Sequence, residues 1–145
     1  MNLSLSPLLL GAVGIQLSCQ LYKVVYYSVK EKKFQGYLFF SAGGIPSAHA
    51  AFVSSLTTGI GLRNGLDSDV FALSFVFSTI VIYDAFRLRG AVEQQAKLLN
   101  RLTQTYLPAE HPGLNERIGH SLQEILWGIG AGIAGMLGFQ LLRVL

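Results

Sequence analysis

Hydrophobic positions in this 145-residue chain come in long blocks, set apart by short polar stretches. About 20 consecutive, mostly apolar residues make a helix able to cross a bilayer. Four blocks approach that pattern. The first runs from Leu5 to Tyr27 and ends in a basic group, Lys23, Lys30, Lys32 and Lys33. The second has a short apolar entry, Tyr37 to Phe40, and then a break at Gly43-Gly44-Ile45-Pro46. Proline suits the first turn of a helix, so the pattern predicts a helix from Pro46 to about Leu62. After the polar turn from Arg63 to Asp69, a third helix is predicted from Val70 to about Phe86. The fourth runs from about His120 to Leu142. Its small residues recur four apart, at Gly128/Gly132, Ala131/Gly135 and Ala134/Gly138, a spacing that lets membrane helices approach closely.

A longer polar connection separates the third and fourth blocks. Leu88, Ala91, Val92, Leu98, Leu99 and Leu102 give it a helical apolar stripe, flanked by Arg87, Arg89, Lys97 and Arg101. That pattern predicts an amphipathic helix lying in the interface or covering the spans. Two prolines and a glycine between Tyr106 and Gly113 end it. The fold class expected is all-α, a single membrane-embedded domain over residues 1–145. It would be a bundle of about four transmembrane helices plus the interfacial helix.

Composition agrees. Hydrophobic residues make up 51% of the chain and charged residues 13%, against about 25% charged in soluble domains; mean hydropathy is +0.46. The N-terminus lacks the basic start of a signal peptide, so the first block reads as a retained span. A net charge of +3, with no basic stripe, gives no footing for a nucleic-acid partner. Cys19 stands alone, which leaves no intrachain disulfide or cysteine metal cluster; it reads as a small buried hydrophobe. With four spans, the Lys- and Arg-rich loops after the first and third fall on one side. The positive-inside rule makes that side cytoplasmic, in a bacterial inner membrane or an organelle membrane. The small-residue faces leave a homodimer open.

The same topology collects polar residues at that face. Lys23 closes the first span, Ser47 and His49 open the second, Asp84, Arg87 and Arg89 close the third, and His120 and Glu124 open the fourth. Ionisable residues at membrane depth are costly and therefore functional candidates. A glycine turn leading into a helix N-terminus, Gly43-Gly44-Ile45-Pro46-Ser47, is suited to an anion. Lys and Arg would neutralise phosphate oxygens. One neutral histidine can attack phosphorus, and a second, protonated, can supply the leaving alkoxide with a proton. His120 and Glu124, four apart, can meet so that the carboxylate orients the imidazole. Asp84 beside Arg87 and Arg89 reads equally as a structural ion pair, and Lys23 as a topology charge. His111, between prolines, reads as inert. His49, Asp84, His120 and Glu124 could in principle hold a metal, but the neighbouring Lys and Arg would repel a cation, so no metal and no cofactor is expected.

Four blocks in order, Gly43 to Ala50, Val81 to Arg89, Gln95 to Asn100 and Gly119 to Glu124, resemble the divergent branch of the type 2 phosphatidic acid phosphatase superfamily. That branch is also labelled acid phosphatase/vanadium-dependent haloperoxidase-related. The resemblance covers about Gln20 to Gly138. It implies metal-independent hydrolysis of a phosphate ester or diphosphate on a membrane lipid, through a phosphohistidine and without a cofactor. Carried over by position, Lys23 resembles the first-signature lysine, without the Arg-Pro that follows it in the superfamily. Pro46-Ser47-Ala48-His49 resembles Pro-Ser-Gly-His, with Ala48 in place of glycine. Ser47 would then bind phosphate, with Gly44 beside it, and His49 would be the general acid. His120 resembles the nucleophile, with Glu124 in place of the orienting Asp. The third-signature arginine would fall at Leu114 and is absent; Arg87, Arg89 or Arg117 are the candidates to replace it. The missing arginines motivate an alternative, a non-catalytic membrane protein of the same fold that binds phospholipids or a partner. A small transporter is a third reading, without an evident inverted repeat to support it.

Overall fold

A computed structural model of the chain describes residues 6–40, 43–106, 113–116 and 118–144. The described residues are helical or lie in turns, with no strand among them. The elements are α1 (Pro7–Lys30), a 3-10 turn (Gly36–Phe40), α2 (Ala48–Asn64), α3 (Asp69–Tyr83), a π-helical turn (Asp84–Leu88), α4 (Arg89–Tyr106) and α5 (Leu122–Val144). Among the described residues three helical runs are long and apolar enough to cross a membrane: Pro7–Lys30, Asp69–Tyr106 and Leu122–Leu142. α2, at 17 residues, is shorter.

Local chemistry explains most boundaries. Pro7 sits in the first turn of α1, where its missing N–H costs nothing. α2 begins at Ala48 rather than at Pro46, because the Ser47 side chain caps it by accepting from the Ala50 N–H at 3.3 Å. α2 ends at Gly65, which takes φ 88°, a conformation that glycine adopts without steric cost. Ser68 caps α3 in the same way as Ser47, accepting from Phe71 at 3.2 Å.

Two expected boundaries move. The amphipathic helix is present as α4, but no break parts it from α3. The π turn joins them into one run of 38 residues, because no proline or glycine interrupts Tyr83 to Arg89 and Asp84 keeps helical angles, φ -56° and ψ -51°. Within that turn the Arg89 N–H reaches back five residues to the Asp84 carbonyl. The fourth helix begins at Leu122, so His120 lies in the turn before it rather than on its face.

α2 is the centre of the bundle. It packs against α1, α3 and α5, and Ala50, Ala51 and Ser55 are fully buried. The core is small-grained. One cluster joins Leu8, Ala12 and Met136; the other joins Cys19, Ala48 and Ala51. The seam between α2 and α5 is closest. A Cβ on Gly128 would lie 2.4 Å from the Ser47 carbonyl oxygen, and one on Gly132 would lie 2.4 Å from that of Ala51. Backbone therefore meets backbone, which is what small residues at this spacing permit. Gly135 faces Ile15 of α1, whereas Gly138 has open space around it. The last predicted pair, Ala134/Gly138, thus does not pack within the chain.

Outward faces are apolar. Val25, Val29, Leu73, Ile80, Leu126 and Leu141 are all more than half exposed. An aqueous surface rarely carries such a continuous apolar face, whereas hydrocarbon solvates it without cost. α3 packs on α2, with no comparable contact to α5 among the described residues, so an apolar cleft opens between them.

Candidate functional site

The site lies where the end of α1, the starts of α2 and α5, and the π turn meet. It is built on the turn that starts α5. Ser121 Oγ accepts from the Glu124 N–H at 3.3 Å, and Glu124 Oε2 accepts in return from the Ser121 N–H at 3.0 Å. This reciprocal pair is a capping box. Glu124 Oε2 also lies 3.1 Å from His120 Nδ1, and the Gly44 N–H donates to the same carboxylate. His120 and Glu124 therefore meet as the spacing predicts, but the cap brings them together rather than a shared helix face. Sequence reasoning missed Ser121, although the Ser-x-x-Glu pattern at 121–124 was there to be read.

An ionised carboxylate only accepts, so His120 Nδ1 carries the proton in this bond. In the neutral ring the other nitrogen, Nε2, holds a lone pair. Nε2 is buried and has no hydrogen-bond partner among the described residues. His49 Nδ1 is in the same position. The two rings stand edge to face with centroids 6.0 Å apart. Buried polar nitrogens are normally satisfied, so two such atoms on neighbouring imidazoles stand out within the fold.

Backbone contacts fix this arrangement. The Ser47 N–H donates to the Glu124 carbonyl at 3.0 Å, tying the start of α2 to the start of α5. The His120 N–H donates to the Ala85 carbonyl of the π turn at 3.2 Å. The Gly119 N–H donates to Glu93 on α4 at 3.1 Å. Gly119 lies against Gly90 so closely that a Cβ would come 2.8 Å from the Gly90 Cα. Further out, the Asn100 side chain donates to the Leu114 carbonyl and accepts from the Leu114 N–H. α4 thus clasps the segment that leads to His120.

The remaining predicted residues separate by location. Lys23 is fully buried, with Nζ 3.4 Å from the Gly43 carbonyl oxygen. Lys23, Asp84, Arg89 and His120 all lie within electrostatic reach of His49. Gly44 takes φ 98°, and a Cβ there would press on Lys23 and Tyr27. Its N–H is committed to Glu124 rather than turned to open space. Ser47 is fully buried and its hydroxyl is engaged as a cap. Arg89 pairs with Asp84 at 3.1 Å, both about 40% exposed. Arg117 and His111 lie outside the described residues. Leu114 is half exposed and belongs to the clasp with Asn100.

A cavity of about 940 Å³ with mixed polar and apolar walls opens beside this cluster. His120, Ser121 and Gly44 line it, with the cations Arg87 and Lys97 and the carboxylates Glu93, Glu116 and Glu124. Arg87 was expected here; Lys97 was read only as a flank of the amphipathic stripe. Lys97 is paired with Glu93, the residue that holds Gly119. His49, Ser47, Lys23 and Arg89 do not line the cavity and stand behind or beside it. Among the described residues no three His, Cys, Asp or Glu side chains converge as metal ligands do.

These features define a helical membrane protein with a histidine–carboxylate pair and a second histidine at one end of its bundle. The sequence matches the Divergent PAP2 family over residues 5–135, and the chain belongs to that family. It is 32% identical over 143 residues to the uncharacterized membrane protein YuiD of Bacillus subtilis, covering 89% of each chain. No solved structure matches it.

Proposed function

We propose that the chain is a phosphatase of membrane lipids that works through a phosphohistidine without a metal. The observation that carries this reading is the His120 geometry: Nδ1 held by Glu124, Nε2 buried and unpartnered, and the His49 ring 6.0 Å away. His120 Nε2 attacks phosphorus as the bond to the leaving oxygen breaks. The negative charge of a phosphate bound beside His49 favours its protonated form, and His49 transfers that proton to the leaving oxygen. Water then attacks the phosphohistidine, its proton returns to His49, and phosphate leaves with His120 neutral again. Glu124 stabilises the charge that the imidazole carries while phosphorylated. Arg87 and Lys97, lining the cavity, are the cations that offset the phosphate oxygens. They lie on the π turn and α4, far in sequence from the superfamily's signature arginines.

In this reading α2 crosses the membrane with the three longer helices, as the fourth span. Its 17 residues reach about 25 Å at 1.5 Å each, and its buried position spares it the need for a fully apolar face. The site then faces the cytoplasm, on the side of Lys30, Lys32, Lys33 and the α4 basic residues. The lipid reaches the cavity laterally, its chains remaining in hydrocarbon. A second reading is favoured by the absence of an arginine at position 114: the cavity binds a lipid phosphate and does not cleave it. Phosphate release from a panel of lipid phosphates by detergent-purified protein, with EDTA present, separates the two. EDTA-resistant release lost in His120→Ala supports the enzyme. Binding that survives His120→Ala, with no release from the unaltered protein, supports the binder.

A further inference from the structure

The apolar cleft between α3 and α5 has a volume of about 730 Å³. Phe71, Phe75 and Ile82 line one wall, and Ile125, Ile129 and Ile133 the other. Among the described residues no charged side chain lines it. Tyr83 and Phe86 line both this cleft and the cavity of His120. The two spaces are therefore neighbours across one aromatic pair, with the charged residues, Arg87 and Lys97 and the carboxylates Glu93, Glu116 and Glu124, confined to the His120 side.

The cleft also contains hydroxyl residues, but four of them bond the protein itself. Thr57 and Ser78 bond each other at 2.6 Å, and Ser78 reaches the Val53 carbonyl at 3.2 Å. Thr58 donates to the Ser54 carbonyl at 2.8 Å, and Thr79 to the Phe75 carbonyl at 2.9 Å. With their donors spent on the protein, these side chains offer the cleft little polar demand. From Phe86 to Phe71 the wall runs about 22 Å at 1.5 Å per residue. That is longer than the roughly 15 Å of hydrocarbon in one leaflet, half of a core about 30 Å thick.

We infer that the cleft between α3 and α5 is the binding site for one extended hydrocarbon chain of the lipid whose phosphate enters the His120 cavity. Tyr83 and Phe86 stand where the chain joins the head group. The inference rests on the cavity taking a phosphate, and its depth favours a long chain over a short one.

The test is photolabelling of the full chain in lipid nanodiscs. The probe is a diacylglycerol phosphate carrying a diazirine at the end of one acyl chain. A control probe has the same chains but phosphocholine in place of the free phosphate. The expected result is labelling of cleft residues such as Phe75, Ile129 and Ile133, stronger for the phosphate probe by about tenfold or more. Ile129→Trp, which fills the cleft away from His120, should abolish that excess. Equal labelling by both probes would overturn the inference, because the cleft would then hold bulk lipid. So would labels confined to the outer faces of α1 and α5, or cross-links showing that a second copy of the chain fills the cleft. Labelling in His120→Ala keeps the outcome separate from catalysis. If it retains the excess while the unaltered protein releases no phosphate, the chain site stands and the enzymatic reading falls.

Discussion

The two sides of α2 are built differently. Toward α5, backbone touches backbone at Gly128 and Gly132, and the Ser47–Glu124 hydrogen bond closes the seam at its end. Toward α3, contact runs through side-chain hydroxyls such as the Thr57–Ser78 pair, and α3 and α5 leave a cleft between them. The seam has little freedom, and it carries both histidines. The α3–α4 arm carries Arg87 and Lys97 and grips the rest through a few contacts, the His120–Ala85 and Gly119–Glu93 hydrogen bonds among them. Position of the imidazoles is thus held by the rigid side, and charge is brought by the looser one.

Enlarging the seam should do the most damage. Gly132→Leu places carbon where the Ala51 carbonyl already lies, and overpacking of this kind costs about 1–3 kcal/mol or more. Thermal unfolding in detergent should show a clear loss of stability. Gly130→Ala, on the same helix with nothing within 4 Å, should cost no stability and gain up to about 1 kcal/mol of helix propensity. Equal effects from the two would remove the distinction between the faces.

Next in size is the loss of Glu124. Glu124→Ala removes the acceptor shared by His120, Ser121 and Gly44. Phosphate release should fall by about 10²–10⁴-fold, as loss of an orienting carboxylate does elsewhere, with about 1 kcal/mol of lost helix cap. A stability loss without a kinetic one would make the carboxylate structural only.

The arm should respond more mildly. Arg87→Ala should weaken substrate binding by about tenfold, the scale of one charge-assisted contact of 1.5–3 kcal/mol partly replaced by water, and leave thermal stability nearly unchanged. A titration of release against lipid phosphate concentration checks this. Smallest of all is Arg89→Ala. It removes an ion pair about 40% exposed on each side, worth roughly 0–1 kcal/mol, and melting should barely register it.

The helices were legible from apolar run length, and the gathering of Lys23, His49, Asp84, His120 and Glu124 at one end followed from alternating span direction. The glycines at 128 and 132 were legible as a packing face for the same reason. Other features were not. Position 46 looked like a helix start because proline fits there, yet the serine after it supplies the cap. The π turn leaves no residue signature, since it depends on how the Asp84 and Arg89 backbone groups pair. Lys97 read as a solvated flank because helical periodicity says nothing about which distant turn a helix covers. The cleft depends on how little α3 touches α5 among the described residues, which no local pattern encodes.

The central claim is that His120 takes the phosphoryl group. It is tested most directly by incubating purified protein with a lipid carrying ³²P in its phosphate, stopping the reaction in alkaline detergent and mapping the label by peptide. Alkali-stable, acid-labile label on His120, absent in His120→Ala, is the expected result. Phosphate release that proceeds with no labelled protein, and persists in His120→Ala, would contradict it.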